Sequence, residues 1–158
     1  MGVMKLLIVE NNTHLRRSLK CLLLQIFHKL EIYESTNMND AKALTDSIQP
    51  DVVLTNMVVE GDSGLFFAKQ IVNNNPGIQI MLVTRWNILE YRKIAREISS
   101  RISIFTNDYD ISEILRFLKL VKLNKMEQRR KQLFSKNLFK VASPDHYDIN
   151  IDGSFVLA

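Results

Sequence analysis

Asp51-Val52-Val53-Leu54-Thr55-Asn56-Met57-Val58-Val59-Glu60-Gly61-Asp62-Ser63-Gly64-Leu65 is the stretch on which the reading of the chain turns. Its opening apolar run, residues 52–54, is of the β-branched kind that makes a strand buried on both faces. The run stops at Thr55-Asn56, which sets the Asn56 amide at the carboxyl edge of that strand. Gly61-Asp62-Ser63-Gly64 then offers turn glycines and a helix N-cap side chain ahead of Leu65. In an open α/β sheet, ligands gather beyond the carboxyl ends of the strands, so chemistry is expected at Asn56. The side chain found there is a neutral amide.

Before this stretch, residues 5–9 read as a buried strand with Glu10-Asn11-Asn12 at its exit. Thr13 is placed to cap a helix whose Leu15, Leu19, Leu22, Leu23 and Ile26 follow helical spacing. Residues 30–35 alternate as a second strand, and residues 37–48 make a short helix ended by Gln49-Pro50. After it, a helix runs from Gly64 to about Asn75 and is halted by Pro76-Gly77. Residues 78–84 and 102–106 are strands, residues 86–99 a helix, and Asp110 caps a long helix from Ile111. Strands alternating with helices over short connections imply right-handed crossovers and a parallel sheet covered on both faces. The expected fold is α/β and doubly wound.

Bulk composition narrows the function classes. The 158 residues suit one domain plus an appendage, and an apolar fraction of 46% provides a real core. One cysteine, Cys21, excludes an intrachain disulfide, and with His14, His28 and His146 scattered a structural zinc site is not expected. The N-terminus has no signal-peptide pattern, and no apolar run approaches the roughly 18 residues of a membrane span. A cytoplasmic protein with no membrane partner is expected. The net charge of +4 is unevenly spread: residues 1–114 hold 12 Lys/Arg against 13 Asp/Glu, whereas residues 115–141 hold nine basic residues against Glu127 alone.

The order of the strand-end residues resembles a response-regulator receiver domain, the flavodoxin-like module of two-component signalling. The resemblance covers roughly residues 4–123 and rests on residues 9–12, on the central stretch, on Thr84 ending the fourth strand, and on Glu113 early in the last helix. It implies a five-stranded sheet of order 2-1-3-4-5 with an extended C-terminal helix. In that family, two acidic residues after the first strand and an Asp after the third hold magnesium, and that Asp accepts a phosphoryl group. A Thr or Ser and a Lys then read the phosphate. Placed on this chain, Glu10 keeps the first acidic position, Asn11 stands at the second, Asn56 at the phosphoacceptor, Thr84 at the hydroxyl and Asn107 at the lysine. Asp108 stands where a proline usually follows, Glu60 where a proline is usual, and Ile104 at the switch aromatic.

A carboxamide is a very poor nucleophile toward phosphorus, whereas a carboxylate forms an acyl phosphate. Magnesium prefers hard anionic oxygens, so losing two of three carboxylates weakens its site by orders of magnitude. Without the Lys, developing phosphoryl charge loses its pairing cation. The expectation is a degenerate receiver that is no enzyme, holds no cofactor, and binds magnesium weakly or not at all. It acts by protein contact, with a histidine kinase or a downstream regulator as partner, and as a homodimer. The family's docking face would here carry Arg85, Trp86, Tyr109 and Phe117; for Arg85 and Trp86 the alternative is a packed helix start.

The remaining signals stay open. Residues 61–64 match the serine-protease nucleophile motif, but a loop and a helix cap explain them and no catalytic histidine is placed. Residues 111–140 contain no Gly or Pro; the second half outruns the sheet, so it projects or bends back. Its Leu123, Met126, Leu133, Phe134 and Leu138 form a stripe too irregular for a strict heptad seam. A solvated basic linker, a dimerisation or partner helix, and nucleic-acid or acidic-membrane contact through Lys125, Arg129, Arg130 and Lys131 are the competing readings. Asp152-Gly153 between alternating residues signals a short hairpin, which also resembles the opening ribbon of a winged-helix effector. A DNA-binding regulator, or a fragment of one, is the alternative function. The expected organisation is a receiver-like domain over residues 1–123, a basic helical extension over 124–141, and a tail over 142–158.

Overall fold

In the computed structural model, which describes residues 2–85, 88–106, 110–141, 147–149 and 155–157, the apolar runs become strands buried on both faces. β1 (Met4–Val9), β2 (Leu30–Ser35) and β3 (Val52–Asn56) alternate with α1 (Thr13–Ile26) and α2 (Met38–Ile48). A tiny ribbon, β4 (Val58–Val59) and β5 (Asp62–Ser63), leads into α3 (Gly64–Asn74). Then come β6 (Gln79–Thr84), α4 (Ile88–Ile98), β7 (Ile102–Thr106) and α5 (Ile111–Val141). Finally β8 (Tyr147–Ile149) and β9 (Phe155–Leu157) pair antiparallel.

The five-stranded sheet is parallel throughout, in the order β2-β1-β3-β6-β7. Counting only its own strands, this is 2-1-3-4-5. Chain direction across the sheet reverses between β1 and β3, and such a reversal opens a crevice at the carboxyl ends of those two strands. Strand alternation divides the core. Leu7, Val9, Val53, Ile80, Leu82, Ile102 and Ile104 face Ala41, Phe67, Ile71 and Ala95 on one side. Leu6, Ile8, Leu54, Met81 and Val83 face Leu19, Leu23, Phe27, Ile114 and Leu118 on the other. Both faces are covered, which is why β1, β3 and β6 read as apolar runs, whereas edge strand β2, with Glu31 and Glu34, is partly exposed.

The chain divides into two compact units, residues 1–121 and 122–158. Val121 is the last α5 side chain buried in the core of the first unit, so the boundary falls two residues before the one read from sequence. α5 itself is a single helix from Ile111 through Val141. Other corrections are local. Asn12, not Thr13, caps α1: its backbone is extended and its side chain accepts from the Leu15 N–H at 3.1 Å, whereas Thr13 is already helical. α4 is described from Ile88 onward; Trp86, where the sequence reading starts this helix, lies outside the described residues.

The ribbon was not legible in sequence. Val59 pairs with Asp62 across Glu60 (φ 51°) and Gly61 (φ 89°), a two-residue turn with both central residues left-handed. The turn brings Gly64 against the end of β3, where its N–H donates to the Met57 carbonyl at 2.7 Å. A Cβ on Gly64 would sit 2.1 Å from the Asn56 carbonyl oxygen. Only glycine fits there. Gly64→Ala is therefore expected to destabilise the protein by about 1–3 kcal/mol, an overpacking cost that falls on the strand carrying Asn56. Urea unfolding checks it, and an unchanged midpoint would show that α3 can move away freely.

Candidate functional site

The crevice between β1 and β3 is a cleft of about 490 Å³ lined by Glu10, Asn11, Asn12, Leu15, Asn56, Met57, Val58, Val83, Thr84 and Arg85. Glu10, just past β1, is the buried charge at its floor, with 2% of its surface exposed. Its Oε1 accepts from the Asn12 N–H at 2.8 Å, and its Oε2 accepts from Asn56 Nδ2 at 2.7 Å. The reverse orientation of the Asn56 amide would set its oxygen against the carboxylate, two acceptors with no proton between them. The amide of Asn56 thus serves as a donor that a carboxylate at this position could not provide.

The backbone around Glu10 is pinned as firmly as its side chain. Its N–H donates to the Ser35 carbonyl at 3.0 Å, and its carbonyl accepts from Arg16 Nη1 at 2.7 Å. Arg16, on the first turn of α1, also pairs through Nε with Glu34 Oε1 at 3.2 Å, and Lys20 Nζ reaches Glu34 Oε2 at 2.5 Å. Arg16 therefore ties the β1–α1 turn to β2. Nothing local in the sequence announces this. Glu34 sits opposite Ile8 in the β1–β2 register, and only the strand pairing brings it beside α1.

Of the residues singled out by sequence, the structure gathers Glu10, Asn11, Asn56, Thr84 and Arg85 into the one cleft. Thr84 ends β6 and is buried, while Asn11 and Arg85 are exposed at the rim. Asn107, Trp86 and Tyr109 lie outside the described residues. Phe117 is half-buried, its ring packed edge-on against Phe105 with centroids 5.7 Å apart. Ile104, read as standing at the switch aromatic position, is buried at 4% exposure, and the aromatic beside it, Phe105, points to the opposite face of the sheet. Lys125, Arg129, Arg130 and Lys131 belong to the second unit. Sequence reading missed Arg16 and the lining residues Leu15, Met57, Val58 and Val83.

Among the described residues, the cleft offers a hard divalent cation one carboxylate, that of Glu10, which already accepts hydrogen bonds from Asn12 and Asn56, and neutral amides. Among the described residues no group of three or more His, Cys, Asp or Glu comes together. Such a set does not fit magnesium, which favours several anionic oxygens.

A model of the response regulator receiver domain matches residues 6–118. The chain belongs to the response regulator receiver domain family. Receiver domains are modules of two-component signalling that meet kinases or downstream effectors, and they are not enzymes as a class. Solved structures similar to this receiver include a CheY-like receiver domain protein from Methanospirillum hungatei JF-1, at 18% identity and TM-score 0.69, covering 81% of this chain and 99% of that one. A DNA-binding response regulator of the LuxR family from Staphylococcus aureus matches at 22% identity and TM-score 0.65, covering 75% and 98%. The receiver domain of the regulator NarL from Mycobacterium tuberculosis matches at 15% identity and TM-score 0.65, covering 77% and 98%. At these identities the likeness concerns the fold. No curated protein matches the sequence. Among the described residues, no helix of this receiver is long and apolar enough to cross a membrane.

The Arg16–Glu34–Lys20 cluster carries a pH dependence. The hydrogen bond from Lys20, with the charges of Lys20 and Arg16 beside it, holds the Glu34 carboxyl below its ordinary value against a smaller opposing effect of burial. A carboxylate with a depressed folded pKa contributes stability above its unfolded pKa and loses it as pH falls through the folded one. Glu34→Gln is therefore expected to lower Tm at neutral pH and to shrink the fall in Tm below about pH 4.5, the carboxylate range. Thermal melts of parent and variant from neutral to acid pH test this; parallel curves would refute it.

Proposed function

We propose that this receiver signals by protein contact without accepting a phosphoryl group. One observation carries the reading: Asn56, at the position where the family resemblance puts the phosphoacceptor, spends its amide on the buried carboxylate of Glu10 at 2.7 Å. A carboxamide neither attacks phosphorus usefully nor adds anionic charge for magnesium. Instead its Nδ2 donates to Glu10, and with one carboxylate in place of several the cleft holds magnesium weakly or not at all. Asn11 in place of the second acid supports the same reading. The state of such a receiver is set by its partner or its concentration, because a ligand shifts an equilibrium only through differential affinity. The partner is a protein of the signalling pathway, a histidine kinase or a downstream regulator, and a homodimer is the expected assembly.

Incubation with acetyl phosphate and magnesium, read by intact-protein mass, tests this. The parent is expected to show no adduct, and a stable phosphoryl adduct on it would falsify the reading. Asn56→Asp sets a second carboxylate beside Glu10 and is expected to make the protein more stable with magnesium than without, a shift absent from the parent. Equal magnesium shifts in both would mean that Asn56 is not what excludes the ion.

A second reading rests on the basic residues of α5. Arg129, Arg130 and Lys131 are all exposed, and each can neutralise a phosphate. It predicts retention of duplex DNA that falls steeply between 50 and 200 mM salt, roughly the range over which counterion release acts. Absent or salt-insensitive retention removes it.

A further inference from the structure

The second half of α5 carries three short rows of side chains, each pair seven residues apart and therefore nearly in line along the helix. The middle row is Leu123 and Arg130, flanked by Met126 and Leu133 on one side and by Glu127 and Phe134 on the other. Leu123, Met126, Leu133 and Phe134 are 60%, 42%, 63% and 70% exposed, two apolar patches on one face that nothing among the described residues covers. A helical segment without tertiary packing is marginal on its own, and i,i+4 repulsion between Lys125 and Arg129 weakens it further. This face calls for an occupant.

Arg130 and Glu127 decide which one. Both sit on this face. A bilayer would receive a guanidinium and a carboxylate on its hydrocarbon side, an expensive arrangement. Nucleic acid has no use for Leu133 and Phe134. A second copy laid parallel would set Arg130 against its own copy. Laid antiparallel about a two-fold axis midway between residues 127 and 130, the same second copy removes the conflict. Glu127 then lies level with the second copy's Arg130, and Arg130 with the second copy's Glu127. Leu123 comes level with Phe134 and Met126 lies beside Leu133, each contact occurring twice. The face is self-complementary in charge and in shape, as an isologous interface must be.

We infer that residues 123–134 form an antiparallel two-helix contact with a second copy of this chain. The existing partner of Glu127 is no obstacle. Its Oε1 meets Lys131 Nζ at 3.2 Å on the same helix, with both side chains mostly exposed, and such pairs hold little energy. The contact lies on the extended part of α5, away from the cleft residues named above in sequence, and it does not depend on whether Asn56 excludes phosphorylation.

Sedimentation velocity on the full chain, with helicity checked by circular dichroism, tests the arrangement. The parent is expected to show a concentration-dependent dimer. Arg130→Glu and Glu127→Arg are each expected to weaken it about tenfold or more, since two symmetric attractions become two repulsions. The double variant is expected to restore the parent's dimer. The Arg130→Glu arm is the sharp one: it lowers the net positive charge, so generic repulsion alone would strengthen association instead. A monomeric parent, a dimer indifferent to both swaps, or a double variant no better than the singles overturns the proposal. Acetyl phosphate reactivity is untouched by any of these outcomes, so the two readings fail separately.

Discussion

A buried carboxylate must be satisfied, and the cleft end of this receiver is arranged around that demand. Glu10 is nearly inaccessible to water, so an unpaired charge there would cost several kcal/mol. Among its donors are the Asn12 N–H, which also begins α1, and Asn56 Nδ2, which ends β3. The bond from Asn56 joins two strands that run side by side but whose following helices diverge to opposite faces of the sheet. A cation bridging two carboxylates could hold the same junction. Here a hydrogen bond of 2.7 Å spans it.

The surrounding structure keeps that bond in place by steric and electrostatic means together. Gly64 packs its backbone onto the Asn56 carbonyl, leaving no room for even a methyl group. The left-handed pair Glu60-Gly61 folds the intervening ribbon tightly enough to allow it. On the β1 side, Arg16 reaches the Glu10 carbonyl while its other edge pairs with Glu34. Displacement of either strand end would break hydrogen bonds on both sides of the cleft. At the rim, Asn11 and Arg85 stand exposed.

How much of this was legible varies with how local the cause is. The Ser63 cap of α3 was written in the four residues around it, and its Oγ accepts from Phe66 N–H at 3.2 Å as expected. The cap of α1 was misplaced by one residue, because Asn12 and Thr13 are both good caps and only backbone conformation separates them. Asn56 could be put at a strand end from the run before it and beside Glu10 by family resemblance. That its amide donates to Glu10 could not be read. The ribbon gave little signal, since Glu-Gly is a weak turn pair and its strands are two residues long.

The sequence by itself determined the layered α/β architecture, since continuous apolar strands alternating with amphipathic helices have few other ways to bury both faces of a sheet. It also determined the chemical poverty of the cleft: amides at 11 and 56 cannot act as carboxylates in any fold. Tertiary structure alone decided what those amides do instead. Glu10 and Asn56 stand 46 positions apart, and the residues between them carry no pattern that specifies a 2.7 Å contact. Strand register, the closeness of Gly64 and the grip of Arg16 specify it, and each is a property of neighbours in space.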